Sequence, residues 1–510
     1  AAPPRYTIVV VELISAMRRY LSFPAVHKIS LSFGIAALLG LLILQLPQGG
    51  SYILGINPST GRVPSPEVRK QLDLPPGRVG AIGLRETAAY MKDGEGYLKE
   101  RVEMHGPVFK TGLFFRPTVM VGSKAAVRDF LPVEPSVSES SLPPSFVQLH
   151  TPYSALNQKG DQLKATRAVY SEILGKEALL SYWPQIRANM VQSVEDGLAA
   201  SSNGDNIMTP IRDGVLGLYF QLWMGLNVND RNKKLFTDFN AGLLSPMPIN
   251  LPWTAFGKAM RARETICAET KALIESHIRD GKNQGFDLFT KVLSQARDES
   301  GKPWSTHRMS IVSLLFVWGA YEETAAVITN TLRLLSLHPE YVPKIRKELE
   351  EFAPNGVGEA SLKDLASMSF LRACVKEGIR LIPPSGGGMR VTTQDIELAG
   401  YRIPKGWVVT ADPRIANKQE DIFGTDIDSY NPERFIQKRF TSNEFFPGGI
   451  GSHACPGIEM SELVSMTYLA SFMENFSSWE QTAGTSLAWS YIPFQVMTNF
   501  QVNLKRRTDP

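Results

Sequence analysis

The chain has 510 residues, enough for a large packed core and, at roughly 150 residues each, about three domains. Hydrophobic residues make up 43% and charged residues 20%, which excludes a disordered chain and a protein that crosses the membrane many times. The net charge is +4, from 54 Lys and Arg against 50 Asp and Glu, so we expect no nucleic-acid partner. The three cysteines are widely spaced, which argues against a disulfide framework and against a CxxC metal site.

The N-terminal region begins with a basic segment and continues with a long uncharged one. Residues 1–28 contain four Lys or Arg and one acidic residue, and the 18 residues 29–46 carry no charge. That length is at the lower limit for a helix that spans a hydrocarbon core of about 30 Å. We therefore predict a membrane anchor helix at 29–46, either transmembrane or interfacial. A buried core helix and a signal-peptide segment are the alternatives.

A proline- and glycine-rich segment, residues 47–75, predicts a linker, and residues 76–510 then follow without a repeat or a low-complexity tract. Apolar alternation predicts a β-hairpin from Val108 to Val121. Helical spacing of apolar residues predicts helical structure over 161–200, 256–280 and 305–337.

Further along the chain, a helix start and several short strands are predicted. Ser361 and Asp364 have the spacing of a capping box, which indicates a helix that ends before Pro383. Short β-type segments follow at 396–398, 400–403 and 408–410, and strand-like alternation returns near 500–504. The elements together predict a mainly α fold with small β-sheets (α+β).

A glycine-rich run from Phe446 to Gly457 surrounds Cys455, just before a predicted helix. The chain lacks both the strand–GxGxxG–helix unit and the GxxxxGK[ST] motif, so the run does not predict a nucleotide site. Gly449 and Gly451 permit positive φ and a close approach to a flat ligand. A cysteine at a helix N-terminus is favoured as thiolate and can bind metal, and one axial cysteine can hold haem iron. A buried core cysteine is the alternative.

The run resembles the haem loop of the cytochrome P450 family, Phe-x-x-Gly-x-Gly-x-(Arg/His)-x-Cys-x-Gly. Its fixed positions are filled by Phe446, Gly449, Gly451, His453, Cys455 and Gly457. Three further motifs of the family follow its order, namely Ala320–Thr324, Glu377-x-x-Arg380 and Pro432–Phe435. The resemblance covers nearly all of residues 75–510. It implies the cytochrome P450 fold, haem b (iron protoporphyrin IX) as cofactor, and Cys455 as the axial ligand of the iron.

The resemblance also implies a role for individual residues. Glu323 and Thr324 would relay protons, and Glu377, Arg380 and Arg434 would form a structural ion network. The haem and its propionates would be held by Arg167, Arg390, Phe446, Gly449, His453 and Gly457. The substrate pocket would be lined by Phe316, Ala320, Tyr321, Ile492 and Phe494.

The sequence departs from the family's pattern at three places. Tyr321 stands where the family usually has a glycine that opens the oxygen-binding groove, so a phenol there would weaken oxygen activation. Leu163 replaces the aromatic residue or histidine of the helix that carries Arg167. The segment 412–417 lacks the histidine often found there.

The leading hypothesis is a membrane-anchored haem-thiolate monooxygenase. It would hydroxylate a lipophilic isoprenoid, sterol or carotenoid-like substrate with O2 and two electrons from a reductase or ferredoxin. Residues 74–131 resemble the retinoid, sterol and isoprenoid hydroxylase branch. The alternatives are a haem-dependent isomerase or dehydratase that does not use O2, and a catalytically reduced accessory subunit of an organellar membrane complex.

The implied location is a membrane, with a single-pass or monotopic attachment and with membrane lipid as a further partner. The family suggests the endoplasmic reticulum, and a plastid or mitochondrial membrane is the alternative. The basic residues 1–28 predict that the N-terminal side faces the cytosol, stroma or matrix. This would place the large domain on the opposite side of the membrane, unless residues 1–46 lie on the membrane without crossing it.

Overall fold

The computed structural model describes most of the chain after the predicted linker. The described residues are 72–80, 83–114, 116–130, 137–199, 204–243, 245, 248–280, 287–490 and 494–507. The predicted basic segment 1–28, the anchor 29–46, most of the linker 47–75 and the pocket residue Ile492 lie outside them. These predictions therefore stay predictions.

Helices form most of the described structure. The first ten are α1 (Leu84–Lys92), α2 (Gly94–His105), α3 (Lys124–Phe130), α4 (Pro144–His150), α5 (Gly160–Ile173), α6 (Lys176–Ala199), α7 (Met208–Met224), α8 (Asp230–Leu243), α9 (Ala255–Asp280) and α10 (Asp287–Gln295). The others are α11 (Thr306–Leu337), α12 (Val342–Phe352), α13 (Leu362–Ser367), α14 (Ser369–Leu381), α15 (Pro413–Ala416), α16 (Glu420–Phe423), α17 (Glu433–Gln437) and α18 (Ile458–Asn475). The mainly α prediction is confirmed.

Short strands form small sheets at the edge of the helical body. They are β1 (Val108–Leu113), β2 (Arg116–Val121), β3 (Ser138–Ser140), β4 (Asp205–Asn206), β5 (Met389–Thr392), β6 (Ile396–Leu398), β7 (Tyr401–Ile403), β8 (Val408–Ala411), β9 (Phe476–Gln481), β10 (Ala488–Ser490), β11 (Val496–Asn499) and β12 (Gln501–Arg506). The largest sheet has the order β1-β2-β8-β5-β3. Its β1–β2 pair is antiparallel with Val108 opposite Val121, which confirms the predicted hairpin. The smaller sheets are β4-β12-β9, β10-β11 and β6-β7.

The long helix α11 is the centre of the helical body. The Ser305 side chain caps its start by accepting a hydrogen bond from the backbone N–H of Arg308. The helix packs against α7, α9, α14 and α18. Within the described ranges it alone is long and apolar enough to cross a membrane, yet 78% of its apolar window is buried inside the protein. The composition of α11 therefore fits a core helix.

Two predicted helical stretches are each divided in the structure. The stretch 161–200 consists of α5 and α6, which are separated at Leu174 and Gly175. A Cβ atom on Gly175 would lie 2.7 Å from the Ser171 carbonyl oxygen, so the close turn there requires glycine. Both helices bury residues in the same hydrophobic core, which is why the apolar spacing continues across the break. The stretch after Ser361 likewise consists of α13 and α14.

The predicted capping box is present at the start of α13. The Ser361 hydroxyl accepts a hydrogen bond from the Asp364 N–H, and the Asp364 carboxylate accepts one from the Ser361 N–H at 2.9 Å. We expect Ser361→Ala to lower the free energy of unfolding by about 1 kcal/mol, because one N-cap is lost. Thermal unfolding of the haem-loaded protein measures this. Ser367→Ala, at the other end of α13, is the control, and an equal loss in both variants would contradict the expectation.

Candidate active site

The glycine-rich run folds into a tight loop that leads Cys455 into α18. The Cys455 N–H donates to the Gly448 carbonyl oxygen at 2.6 Å, and the Gly449 N–H donates to the Phe446 carbonyl oxygen at 2.9 Å. A Cβ on Gly448 would lie 2.7 Å from Ile458 and 2.9 Å from the Cys455 Cβ, so no larger residue fits there. Gly449 has φ = 76°, a conformation that favours glycine.

The Cys455 thiol lies in a recess of the protein. Its side chain is accessible, yet burial raises the pKa of the thiol to about 11. Both observations hold for a group that is open on one side and enclosed by protein on the others. The negative charge of Glu323 raises the same pKa, while the Gly457 N–H, 3.4 Å from the sulfur, and the positive charge of Arg167 lower it. Glu323 and Arg167 are therefore close enough to act electrostatically on the thiol.

One face of α11 is open to this recess. Gly319 is exposed, and Ala320 and Glu323 are half-buried, whereas most of the helix is buried. Glu323 shares a face with Gly319 and with Ala320, because it lies four and three positions after them. Burial raises the pKa of the Glu323 carboxyl to about 7, and within the described ranges its carboxyl has no hydrogen-bond partner. Glu323 and Cys455 thus line the recess from two different elements.

Thr324 points away from the recess, unlike its neighbour Glu323. Its side chain is fully buried, and its hydroxyl donates to the Ser461 hydroxyl of α18 at 3.0 Å. The Tyr219 hydroxyl of α7 lies 3.2 Å from the same Thr324 oxygen. The structure therefore does not bring the predicted Glu323–Thr324 pair together at one site.

Tyr321 packs into the helical core. Its ring meets Phe236 of α8 edge to face, with the ring centroids 5.6 Å apart. Burial raises the pKa of its phenol, the charge of Glu322 raises it further, and the charge of Arg212 lowers it. Glu322 itself forms an ion pair with Arg212 at 3.1 Å. These contacts place Tyr321 on the side of α11 that faces α7 and α8, which differs from the position in the oxygen-binding groove expected from the sequence.

The other predicted pocket residues are divided in the same way. Ala320 lies on the open face of α11, but Phe316 is buried against Tyr170, with the ring centroids 4.6 Å apart. Phe494 packs against Trp318 of α11 at 5.6 Å between the centroids. Trp318, which the sequence analysis did not single out, also donates a hydrogen bond to Asn240 of α8 at 3.1 Å.

The predicted cationic residues approach the loop from two directions. Arg167 of α5 is half-buried, and burial lowers the pKa of its guanidinium while Cys455 raises it. His453 places its Nε2 3.2 Å from the Gln158 carbonyl oxygen, just before α5. Arg390 of β5 is buried, and its guanidinium donates to the Met389 carbonyl oxygen at 3.1 Å. The structure thus brings Arg167 and His453 to the loop and places Arg390 in the largest sheet.

Glu377, Arg380 and Arg434 form a buried ion network. Arg380 donates to both Glu377 carboxylate oxygens, at 2.7 and 2.8 Å, and Arg434 donates to one of them at 3.2 Å. The side chains of Glu377 and Arg380 have no exposed surface. The remaining guanidinium N–H groups of Arg380 donate to the carbonyl oxygens of Asn417, Ile427 and Ser429. The network therefore fastens α14 to α17 and to the segment before it.

The arrangement defines the class of protein. In a mostly helical fold, a glycine loop presents one accessible cysteine sulfur below the open face of a long central helix. This is the arrangement of a haem-thiolate protein. Residues 94–487 match the cytochrome P450 family. Because the match covers more than half of the chain, the chain belongs to the cytochrome P450 family, whose cofactor is haem b. It is a haem-dependent monooxygenase by class.

Individual relatives are similar over most of the chain. Cytochrome P450 26B1 of Xenopus tropicalis is 27% identical over 77% of this chain and 79% of that protein. Taxane 13-alpha-hydroxylase of Taxus cuspidata is 26% identical over 79% of this chain and 86% of that protein. The structure of retinoic acid bound cyanobacterial CYP120A1 superposes with a TM-score of 0.77 and 26% identity, covering 86% of this chain and 100% of that one.

The residues of the recess fit the family's cofactor. Cys455 offers one accessible sulfur, and metal coordination deprotonates a thiol outright, whatever its pKa without metal. Gly448 and Gly449 keep side chains out of the loop beside the sulfur. Arg167, which has no side-chain hydrogen bond or ion pair within the described ranges, is a suitable partner for a propionate.

Several contributing residues were not found from the sequence. Gly448 stands inside the motif, between two positions that were assigned, and its crowding with Ile458 is a three-dimensional contact. Gly319 precedes the recognised motif directly, so its place on the open face follows once the helix is drawn. Tyr219 and Ser461 carry no sequence signal, because their roles depend on how α7 and α18 pack against α11.

We expect Glu377→Gln to lower the free energy of unfolding by about 3–5 kcal/mol, because two buried guanidinium groups lose their shared counter-charge. Glu433→Gln is the control, since Glu433 forms a partly exposed ion pair with Lys344 that is worth less than about 1 kcal/mol. Thermal unfolding of the haem-loaded variants measures both. Equal losses in the two variants would contradict a structural role of the network.

Proposed function

We propose that the protein is a membrane-anchored monooxygenase that hydroxylates a lipophilic, isoprenoid-type substrate. It uses O2 and two electrons from a reductase or ferredoxin. The observation that carries the proposal is the recess that the accessible Cys455 sulfur and the half-buried Glu323 carboxyl line together, close enough for the charge of Glu323 to raise the pKa of the Cys455 thiol. A metal-binding sulfur and a proton-transferring carboxyl on two sides of one recess are what oxygen activation requires.

Haem b, when held by Cys455, supplies the iron at which oxygen is activated. The chain's own residues supply the rest. Glu323 holds or releases a proton at its carboxyl oxygens, and a pKa of about 7 suits transfer in both directions near neutral pH. Arg167 contributes positive charge beside the sulfur. Glu322, the residue before Glu323 in α11, is held by its own partly buried ion pair with Arg212 of α7.

The substrate class is inferred from the relatives and from the apolar residues near the open face. One relative hydroxylates taxanes and one solved relative binds retinoic acid, according to their names, and both ligand types are lipophilic. In this chain the Trp318–Phe494 pair supplies an apolar surface on the neighbouring side of α11. These similarities favour the monooxygenase over the two alternatives, the isomerase or dehydratase and the accessory subunit.

Membrane attachment rests on the sequence of residues 29–46, whose length suits a single-pass or monotopic helix. A membrane location places the enzyme where lipophilic substrates concentrate and where an electron-donating partner is held near it. We propose the endoplasmic reticulum, with a plastid or mitochondrial membrane as the alternative. A stable association with a larger membrane complex is compatible with either.

We expect the reduced carbon monoxide complex of the haem-loaded protein to show the far-red-shifted Soret band of thiolate ligation, and Cys455→Ser to abolish that band. The matched control is Cys267→Ala, which removes a buried thiol whose only described partner is the Ser310 carbonyl oxygen. Absorption spectra at equal haem content measure both. Retention of the band in Cys455→Ser would refute the ligand assignment.

We expect Glu323→Gln to lower product formation by about 100-fold, because an amide cannot release a proton. The substrate-induced change in the haem spectrum should remain, because glutamine has nearly the same size and shape as glutamate. The control is Glu299→Gln, at an exposed position before α11. Product and O2 consumption are measured together, and unchanged turnover in Glu323→Gln would exclude the proton-transfer role.

A further inference from the structure

Three hydroxyl groups from three different helices form a continuous hydrogen-bonded chain, two of them buried and the third, Ser461, half-buried. The Tyr219 hydroxyl of α7 lies 3.2 Å from the Thr324 hydroxyl of α11, which lies 3.0 Å from the Ser461 hydroxyl of α18. Tyr219 and Thr324 have no exposed surface. Ser461 is in the first turn of the helix that directly follows Cys455, and its N–H donates to the Gly457 carbonyl oxygen at 2.9 Å.

The direction of the chain follows from counting protons. A threonine hydroxyl has one proton, and that of Thr324 is donated to Ser461. The Tyr219 hydroxyl must then donate to Thr324, because the single Thr324 proton is already engaged and only the Tyr219 proton is available for this bond. Thr324 therefore has no proton left to donate toward the recess. Its position beside Glu323 in sequence does not make it a second proton donor there.

The Tyr219 end of the chain is held rigidly. The Tyr219 ring is stacked on Trp223 with the ring centroids 4.6 Å apart and the planes 6° from parallel. Trp223 is itself almost completely buried. Burial raises the pKa of the Tyr219 phenol, and the charge of Cys455 raises it further, so the hydroxyl stays protonated and lies within electrostatic range of the sulfur. A rigid donor fixes the position of the hydroxyl to which it donates.

The three hydroxyls lie where a small movement of α11 has a large effect. Thr324 and Glu323 are adjacent in the helix, so a hydrogen bond that fixes one also fixes the other. A slip of α11 by one residue would move Glu323 by about 1.5 Å and rotate it by about 100°. Such a shift would take the carboxyl out of its position opposite Cys455.

We propose that Tyr219, Thr324 and Ser461 are positioning residues, whose hydroxyl chain fixes α11 against α7 and α18 and so holds the Glu323 carboxyl in place opposite Cys455. The inference rests on the proposed function, because the three hydroxyls have a positioning role only if Glu323 transfers protons during turnover. None of the three residues contacts the reacting atoms in this account; they act through Glu323.

The protein contains a matched control position for each variant. Tyr219→Phe is compared with Tyr468→Phe, because the buried Tyr468 hydroxyl has no described partner. Thr324→Val is compared with Thr329→Val, whose hydroxyl donates only to the Ala325 carbonyl oxygen of its own helix. Ser461→Ala is compared with Ser465→Ala and Ser471→Ala, two buried hydroxyls of α18 without described partners. Thr324→Ser retains the hydroxyl and serves as the rescue variant.

The experiment measures product formed per O2 consumed by the haem-loaded full chain, at a temperature well below unfolding. We expect this ratio to fall about fivefold in Tyr219→Phe, Thr324→Val and Ser461→Ala, the factor typical of one lost hydrogen bond. The control variants and Thr324→Ser should keep the ratio of the unmodified protein. Tyr219→Phe should cause no further loss in the Thr324→Val background, because both changes break the same chain.

A second measurement is independent of turnover. The infrared carboxyl band of Glu323, identified by its loss in Glu323→Gln, should shift and broaden in the three chain variants and stay unchanged in the controls. The inference is overturned if variants and controls behave alike in either measurement, or if Thr324→Ser fails to restore the ratio. If the unmodified protein forms no product from O2, the proposed function fails, whereas an unshifted infrared band contradicts the positioning role by itself.

Discussion

The geometry of the Cys455 loop is the constraint on which the rest of the site depends. The loop turns so tightly that Gly448 has no room for a side chain, and its carbonyl oxygen receives the Cys455 N–H at 2.6 Å. This fixes the sulfur at the entrance to α18, where the sulfur is accessible. Glu323, Arg167 and Tyr219 all lie within electrostatic range of that sulfur.

Helical geometry on α11 explains why neighbouring residues have different roles. Successive residues are rotated by about 100°, so Ala320, Tyr321, Glu323 and Thr324 cannot all face one recess. Ala320 and Glu323 share the open face, Tyr321 is packed against α8, and Thr324 is bonded to α7 and α18. The tyrosine that departs from the family's pattern is thereby accommodated in the core, and Glu323 places a carboxyl group on the open face.

Much of the fold and part of the site can be predicted from the sequence, for identifiable physical reasons. The β1–β2 hairpin and the capping box at Ser361 depend on local chemistry, and both are present. The Cys455 loop is recognisable because its glycines and cysteine are close in the chain. The break at Gly175, the rotation of Thr324 away from Glu323 and the role of Tyr219 depend on contacts between distant segments, which no local pattern encodes.

The central claim is that Cys455 and Glu323 meet at one haem site, with the sulfur bound to iron and the carboxyl on the other face. A crystal structure of the haem-loaded protein, with the iron located by anomalous scattering, tests this most directly. The account predicts iron bonded to the Cys455 sulfur, with the Glu323 carboxyl directed into the cavity on the opposite face of the haem. Iron bound by another residue, or a Glu323 carboxyl turned away from the haem, would contradict it.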